Sequence, residues 1–230
     1  MRTIFITGAN RGIGLAMTGI YASAGDTVLA CCREPSAANE LQALTHKHSV
    51  TVLPLRVDDA QSVATLATQL SNTCIDILIN NAGVIAGPRE KQTATNMDFD
   101  VWAEAFAINT MGPVRVMQAF LPHLQRAKNP KVMNITSQLG ALSLNEPALH
   151  AYSSTKAALN KFMRMAALDL KKQGVAIGLI HPGWVQTDMG GAGASISPSV
   201  SANGIVKVID QLTLKNTGSF WKWDGTLHDW

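Results

Sequence analysis

The chain has 230 residues, 47% hydrophobic content and a formal net charge of +3 from 19 basic and 16 acidic side chains. This length predicts one domain with one substantial core, and the scattered charges argue against nucleic acid as a partner. The cysteines Cys31, Cys32 and Cys74 are expected to be buried, reduced thiols of a cytoplasmic protein. No apolar stretch has the length of a membrane span, and no residue cluster has metal-site spacing.

Apolar runs of strand length alternate with helical patterns along the whole chain. The predicted strands are 3–7, 27–32, 50–55, 75–80, 131–135, 175–181 and 219–223. The predicted helices are 13–24, 60–70, 97–126, 150–172 and 199–214. This alternation predicts an α/β fold, in which a doubly wound, parallel seven-stranded sheet has helices on both faces within a single Rossmann-like domain over 1–230.

A glycine-rich turn follows the first predicted strand and precedes the first predicted helix. Gly8, Gly12 and Gly14 have the spacing G-x-x-x-G-x-G, which departs from the commoner G-x-G-x-x-G. A turn without Cβ atoms lets a pyrophosphate approach backbone amides at a helix N-terminus, where the helix dipole favours an anion. The turn therefore predicts a dinucleotide site, although a tight strand-to-helix turn without a ligand could have the same sequence.

Tyr152 and Lys156 lie four residues apart, and a helix would place them on one face about one turn apart. A neighbouring ammonium favours the phenolate and so lowers the pKa of the phenol, which suggests acid/base chemistry. An isolated pair of this kind is usually a surface contact without function. The prediction of an active site therefore depends on the motifs around it.

Those motifs occur in a consistent order along the chain. They are Asn80-Asn81-Ala82-Gly83, Asn109, Ser137, Tyr152 with Lys156, and Pro182-Gly183. With the glycine turn, they make the chain resemble the short-chain dehydrogenase/reductase family over nearly its whole length. The turn at 187–190 and the segment 218–225 are similar to those of small carbonyl reductases related to the sniffer and C-factor proteins.

The resemblance implies a role for each catalytic residue. Tyr152 would protonate a carbonyl oxygen as hydride arrives from the nicotinamide, and would act as the base in the reverse direction. Lys156 would lower the pKa of Tyr152 and bind the nicotinamide ribose, while Ser137 would hydrogen-bond the substrate oxygen. Asn109 would bend its helix and hold a water that links Lys156 to solvent. The implied cofactor-binding residues are Gly8, Asn10, Arg11, Gly12, Ile13, Gly14, Arg33, Val57, Asp58, Asn81, Ala82, Gly83, Tyr152, Lys156, Pro182, Gly183, Val185 and Thr187.

Two arginines favour NADP(H) over NAD(H) as the cofactor. Arg33 follows the second predicted strand and Arg11 lies in the glycine turn, so both guanidiniums could bind one 2′-phosphate. Glu34 could instead pair with Arg33. Arg56 stands where the family usually has an acid directed at the adenine; it could stack on the base or point to solvent, with Asp58 as a substitute acceptor.

The expected substrate is a small, neutral ketone, aldehyde or quinone, or the corresponding alcohol. Gln138, Trp184 and Met189 are the predicted substrate contacts, the last two in a substrate loop around 184–200 that carries no basic side chain. The resemblance also implies a homodimer or homotetramer packed through the helix that carries Tyr152. Two alternatives stay open: a nucleotide-binding signalling protein of the C-factor type with little turnover, and a lyase or epimerase that retains its cofactor.

Overall fold

The computed structural model describes residues 1–146 and 149–230 of the chain. The strands are β1 (Thr3–Thr7), β2 (Thr27–Cys32), β3 (Val50–Pro54), β4 (Ile77–Asn80), β5 (Gln92–Thr93), β6 (Asn96–Met97), β7 (Lys131–Ile135), β8 (Ala176–His181) and β9 (Phe220–Lys222). The α-helices are α1 (Gly12–Ser23), α2 (Asn39–Thr45), α3 (Ala60–Gln69), α4 (Phe99–Phe106), α5 (Gly112–Leu124), α6 (His150–Lys171) and α7 (Pro198–Gln211).

Seven strands form one parallel sheet in the order β3-β2-β1-β4-β7-β8-β9, which confirms the predicted doubly wound fold. The chain first builds outward from β1 to β3 and then crosses back to β4 on the other side of β1. The strand order therefore reverses between β1 and β4, and such a reversal opens a crevice at the carboxyl ends of the two strands. β5 and β6 form a separate antiparallel hairpin.

Apolar side chains cover both faces of the sheet, which explains why its inner strands are continuous apolar runs. On one face, Val63 of α3, Phe120 of α5 and Met163 of α6 belong to one buried cluster. On the other face, Met17 of α1 and Ile205 of α7 belong to a second cluster. The sheet thus lies between two helical layers, and the crevice lies at the carboxyl ends of its central strands.

The predicted helix 97–126 is interrupted. It consists of α4, a π-helical segment (Ala107–Met111) and α5, which has Pro113 in its first turn. Apolar periodicity continues through this segment and so predicts one helix, whereas the side-chain bonds that accompany the π-turn depend on residues distant in sequence. The short helix α2 and the β5–β6 hairpin were not predicted, because segments of seven and two residues carry little periodic signal.

Candidate active site

A cleft of about 510 Å³ opens at the carboxyl ends of the central strands, where the topology requires it. Most of the residues expected to bind the cofactor line this cleft, although they come from separate parts of the chain. These are Gly8, Asn10, Arg11, Gly12, Ile13, Arg33, Val57, Asp58, Asn81, Ala82, Gly83, Tyr152, Lys156, Pro182 and Thr187.

The glycine turn needs glycine at each of its three positions. Gly8 has φ +64° and Gly12 has φ +54°, a left-handed conformation that side chains disfavour. A Cβ atom on Gly14 would lie 2.2 Å from the carbonyl oxygen of Gly8. The turn can therefore close tightly and present its backbone to the cleft.

Thr7 and Asn81 join the glycine turn to the end of β4. The Thr7 hydroxyl accepts hydrogen bonds from the backbone N–H groups of Asn81 and Ala82, both at 3.0 Å. The Asn81 side-chain amide in turn donates to the carbonyls of Thr7 at 3.0 Å and Gly8 at 2.9 Å. These bonds make one continuous wall from the first and fourth strands.

Tyr152 and Lys156 lie within the first two turns of α6 and line the same cleft, as their spacing predicts. The side chains are 7% and 4% exposed, and the Lys156 Nζ lies 5.7 Å from the centre of the Tyr152 ring. Burial raises the pKa of Tyr152 to about 12, an effect that a hydrogen bond with Ser137 opposes. Burial also lowers the pKa of Lys156 to about 8.

The main-chain carbonyl of Ile135, at the end of β7, accepts a hydrogen bond of 2.9 Å from the Lys156 ammonium. Ser137 lies two residues beyond this carbonyl and caps a short 3-10 turn, Gln138–Gly140, by accepting from the Leu139 N–H. The carboxyl end of β7 thus brings a hydroxyl to the phenol and a carbonyl to the ammonium.

Asn109 is fully buried in the π-helical segment and braces α6 against the loop after β4. Its Oδ1 accepts from the Val84 N–H at 2.8 Å, and its Nδ2 donates to the Val84 carbonyl at 2.8 Å and to the Thr155 hydroxyl at 3.1 Å. A Cβ on Gly83 would lie 3.2 Å from Asn109 Oδ1 and 3.5 Å from Lys156 Nζ. Both polar side chains therefore approach the space beside Gly83.

Comparison with known proteins identifies the family of this chain. A sequence profile described as short chain dehydrogenase matches residues 2–195. The chain belongs to the short-chain dehydrogenase family. The C-signal protein of Myxococcus xanthus is 39% identical over 165 residues, which are 71% of this chain and 98% of that protein.

Solved carbonyl reductases have the same fold as this family member. The NADPH-bound carbonyl reductase from chicken fatty liver superposes with a TM-score of 0.92 and 32% identity, over 100% of this chain and 99% of that one. The carbonyl reductase Sniffer of D. melanogaster superposes with a TM-score of 0.93 and 28% identity over 100% of both chains. The resemblance inferred from the motifs is thereby confirmed.

Two ion pairs determine how the arginines of this short-chain dehydrogenase are oriented. Arg11 pairs with Asp188 at 2.6 Å, and both side chains lie at the surface of the cleft. Arg56 pairs with Asp58 at 2.9 Å; Asp58 lines the cleft, and Arg56 does not. Within the described part of the chain, Arg33 makes no ion pair with Glu34.

Several residues expected at the site of this dehydrogenase do not line the cleft. Gly14 packs against Gly8, while Gly183, with φ +88°, packs against Ile196 and leaves no room for a Cβ. Val185 is buried in a bridge to Ile196. The remaining residues outside the lining are Asn109, Ser137, Gln138 and Trp184.

Among the predicted substrate contacts, Met189 lines the cleft, whereas Trp184 is 57% exposed and donates from its indole N–H to the Gly190 carbonyl at 2.8 Å. Sequence reasoning missed Asp188, although it directly follows the predicted Thr187. It also missed Ile135, which acts through its backbone and so leaves no side-chain signal.

Proposed function

We propose that this chain is an NADP(H)-dependent oxidoreductase that interconverts a carbonyl and an alcohol. The observation that carries the proposal is the single cleft in which the glycine turn, two arginines, Tyr152 and Lys156 meet. NADPH, when bound, supplies the hydride. The carbonyl reductase neighbours and the family membership support an oxidoreductase over a signalling protein with little turnover.

The cleft fits a dinucleotide with an additional phosphate. The crowded glycine turn exposes backbone for a pyrophosphate, Arg33 supplies a cation directly after β2, and Arg11 supplies a second one from the glycine turn. Arg11, Arg33 and Asp58 would hold the adenosine end, and Tyr152 and Lys156 the nicotinamide end. A chicken relative of the same fold is NADPH-bound, which agrees with this assignment.

Tyr152 serves as the proton donor to the carbonyl oxygen. A phenol with a pKa of about 12 is fully protonated at neutral pH, which is the form that a general acid requires. Ser137 interacts with the phenol and orients the substrate oxygen. Lys156 lowers the pKa of the phenol through its charge when the cofactor is bound. Asn109 connects Lys156 to solvent through a bound water.

The proposed substrate is a small, neutral carbonyl compound or alcohol, contacted by Met189 within the cleft and by Gln138 and Trp184 from beside its lining. Apart from Lys156, the basic residues that line the cleft are Arg11 and Arg33, which lie toward the phosphate end. A substrate carboxylate would therefore find no cation beside the phenol other than Lys156. We assign residues 184–200 as the substrate loop of a single domain that spans 1–230.

The protein is proposed to act as a cytoplasmic homodimer or homotetramer. Phe162, Met165 and Leu168 are 43%, 37% and 59% exposed along α6, an apolar face suited to packing on a second copy. Cys31, Cys32 and Cys74 are unpaired, as thiols are in a reducing compartment. Within the described residues, no helix is long and apolar enough to cross a membrane, and no group of side chains could hold a metal ion.

Oxidation of NADPH and NADH with a panel of neutral aldehydes, ketones and quinones tests this function. We expect kcat/KM to be higher with NADPH, because Arg33 makes charge-assisted bonds to the 2′-phosphate. Arg33→Ala should reduce kcat/KM for NADPH by about 10- to 100-fold and leave that for NADH within about twofold. Arg89→Ala, which removes an exposed arginine outside the cleft lining, is the matched control.

A preference of the wild type for NADH would overturn the assignment of the cofactor. Absence of turnover with every carbonyl compound and both cofactors would overturn the reductase itself. Retained cofactor with product formation but no net NADPH consumption would instead support the lyase or epimerase alternative.

A further inference from the structure

The first turn of α6, which carries Tyr152, has no cap from its own N-cap residue. Leu149 occupies that position in a left-handed conformation with φ +43°, and its apolar side chain cannot accept a hydrogen bond. The first bond within the helix runs from the Ser153 N–H to the Leu149 carbonyl at 2.8 Å. The N–H of Tyr152, at the third helical position, is one that an N-cap side chain usually satisfies.

Gln92 supplies an acceptor to this turn from sixty residues earlier in the chain. Its Oε1 accepts from the Tyr152 N–H at 3.3 Å, and its main-chain carbonyl accepts from Nδ1 of His150 at 3.0 Å. Gln92 is 1% exposed, so these bonds form away from water. One buried residue therefore contacts the first and third positions of the helix.

The amide nitrogen of Gln92 fixes the residue to the loop that follows the cleft wall at Gly83. Nε2 donates to the Ala86 carbonyl at 2.6 Å and to the Gly87 carbonyl at 3.3 Å. Gly87 has φ +67°, and a Cβ there would lie 2.8 Å from Cγ1 of Val101 in α4. The loop thus packs closely against α4, and Gln92 links the loop to the first turn of α6.

We propose that Gln92 is a positioning residue, a remote N-cap that holds the first turn of α6 so that the Tyr152 phenol faces Ser137 and the cleft. The inference rests on the proposed function, because the position of the phenol matters only if it transfers a proton. Displacement of a reacting group by about 1 Å can reduce a rate about 100-fold. One of the four hydrogen bonds of Gln92 reaches the backbone of α6, one reaches the His150 side chain, and two hold the loop at Ala86 and Gly87, so none of them acts on the cofactor end of the cleft.

Gln92→Met and Gln92→Glu distinguish the bond that Oε1 accepts from the Tyr152 N–H from the bonds that Nε2 donates to the loop. Methionine has a similar length and makes none of these side-chain bonds, whereas glutamate retains an oxygen that can accept from the Tyr152 N–H. His123→Leu is the matched control, because it also removes a side-chain hydrogen bond to a main-chain carbonyl, that of Ala67 at 3.1 Å, in the buried layer between α3 and α5. Each variant is assayed for NADPH-dependent reduction across pH, and for amide hydrogen exchange at residues 150–153.

For Gln92→Met we expect kcat to fall about 10- to 100-fold with a changed pH profile, while KM for NADPH stays within about twofold. Amide exchange at 150–153 should rise at least about tenfold as the first turn opens. Gln92→Glu should retain more activity and slower exchange than Gln92→Met, and His123→Leu should match the wild type in both measurements.

Wild-type kcat and wild-type exchange in Gln92→Met would overturn the proposal, and so would equal losses in Gln92→Met and Gln92→Glu. If Gln92→Met does not fold, exchange in Gln92→Glu decides: slow exchange at Tyr152 supports the cap and fast exchange contradicts it. If the wild type reduces no carbonyl compound, the proposed function fails, while hydrogen exchange still tests the cap.

Discussion

At the residue scale, burial acts in opposite directions on the two groups that define the site. It raises the pKa of Tyr152 to about 12 and lowers that of Lys156 to about 8. Both shifts have the same physical cause, since a low-dielectric environment disfavours a negative phenolate and a positive ammonium alike. The unliganded site therefore keeps Tyr152 protonated and holds Lys156 at an energetic cost.

That cost predicts that Lys156→Met stabilises the unliganded protein while it removes activity. The pKa of Lys156 is about 8 when folded and 10.5 in its ordinary state, so the buried ammonium at pH 7 opposes folding. This difference in pKa corresponds to about 3 kcal/mol of unfolding free energy. Loss of the hydrogen bond to Ile135 offsets about 1 kcal/mol, so Lys156→Met should be about 2 kcal/mol more stable than the wild type at pH 7.

The sign of the pH dependence follows from these two values. Between pH 8 and 10.5 the unfolded chain binds more protons than the folded one, so wild-type stability rises with pH through this window. Thermal unfolding across this range should show the gain of Lys156→Met shrinking as pH rises. A variant that is less stable than the wild type at pH 7 would contradict the account.

At the element scale, the 3-10 turn that carries Ser137 at its N-cap lies backbone to backbone on α6. A Cβ added to Gly140 would lie 2.8 Å from the Lys156 carbonyl carbon and 2.9 Å from its Cβ. The amide of Asn160, one turn further along α6, donates to the Gly140 carbonyl at 3.2 Å. This contact sets how closely Ser137 approaches the phenol.

Gly140→Ala should therefore push the turn away from α6 and reduce kcat by about 10-fold or more. Gly19→Ala is the control, since no atom within 4 Å would meet its Cβ and α1 should gain about 0.5–1 kcal/mol from the substitution. Steady-state kinetics and thermal unfolding of both variants provide the measurement. Equal kcat in Gly140→Ala and the wild type would show that the spacing of the turn does not matter.

The elements that the sequence predicts well are those with a local signal. The strands of the sheet are buried on both faces and appear as apolar runs, and the glycine turn and the spacing of Tyr152 and Lys156 are visible directly. The interruption at Asn109 was not predictable as a π-helix, because its bonds reach Val84 and Thr155 elsewhere in the fold. Gln92 gives no signal for the same reason, since its partners lie on α6 and in the loop after β4.

The orientation of charged side chains also cannot be predicted from the local sequence. The sequence left two alternatives for Arg56, and the structure pairs it with Asp58 outside the cleft lining. Arg11 was expected to bind the cofactor, and in the structure it pairs with Asp188 from the loop after β8. Such pairs form between segments that topology brings together.

At the scale of the whole molecule, the sheet positions the residues of the cleft and also buries a titratable group at the carboxyl end of one of its strands. His181, at the end of β8, has a pKa lowered to about 4 by burial and by the neighbouring His228 and Lys222, against a smaller opposing effect of Asp224. The ring of His228 lies 5.8 Å from that of His181 in an edge-on arrangement. The folded protein thus keeps His181 neutral under mildly acidic conditions.

We predict that this neutrality makes stability fall as pH decreases from 6.5 to about 4. In this window the unfolded chain binds a proton at His181 that the folded chain does not, which removes up to about 3 kcal/mol of stability. His181→Phe keeps a ring and cannot titrate, so its unfolding free energy should decline less steeply over the same range in chemical denaturation. Parallel pH dependences of the two proteins would assign the acid sensitivity to other groups.

The fold, the cleft and the family membership converge on one chemical claim, that the Tyr152 phenol delivers the proton in carbonyl reduction. The chain contains two tyrosines, and Tyr21 is buried in the other helical layer, so Tyr21→Phe is a matched loss of a phenol. NADPH oxidation with a reducible carbonyl compound should fall by about 10²- to 10⁴-fold in kcat/KM for Tyr152→Phe and stay at the wild-type rate for Tyr21→Phe. Equal rates in Tyr152→Phe and the wild type would contradict the mechanism.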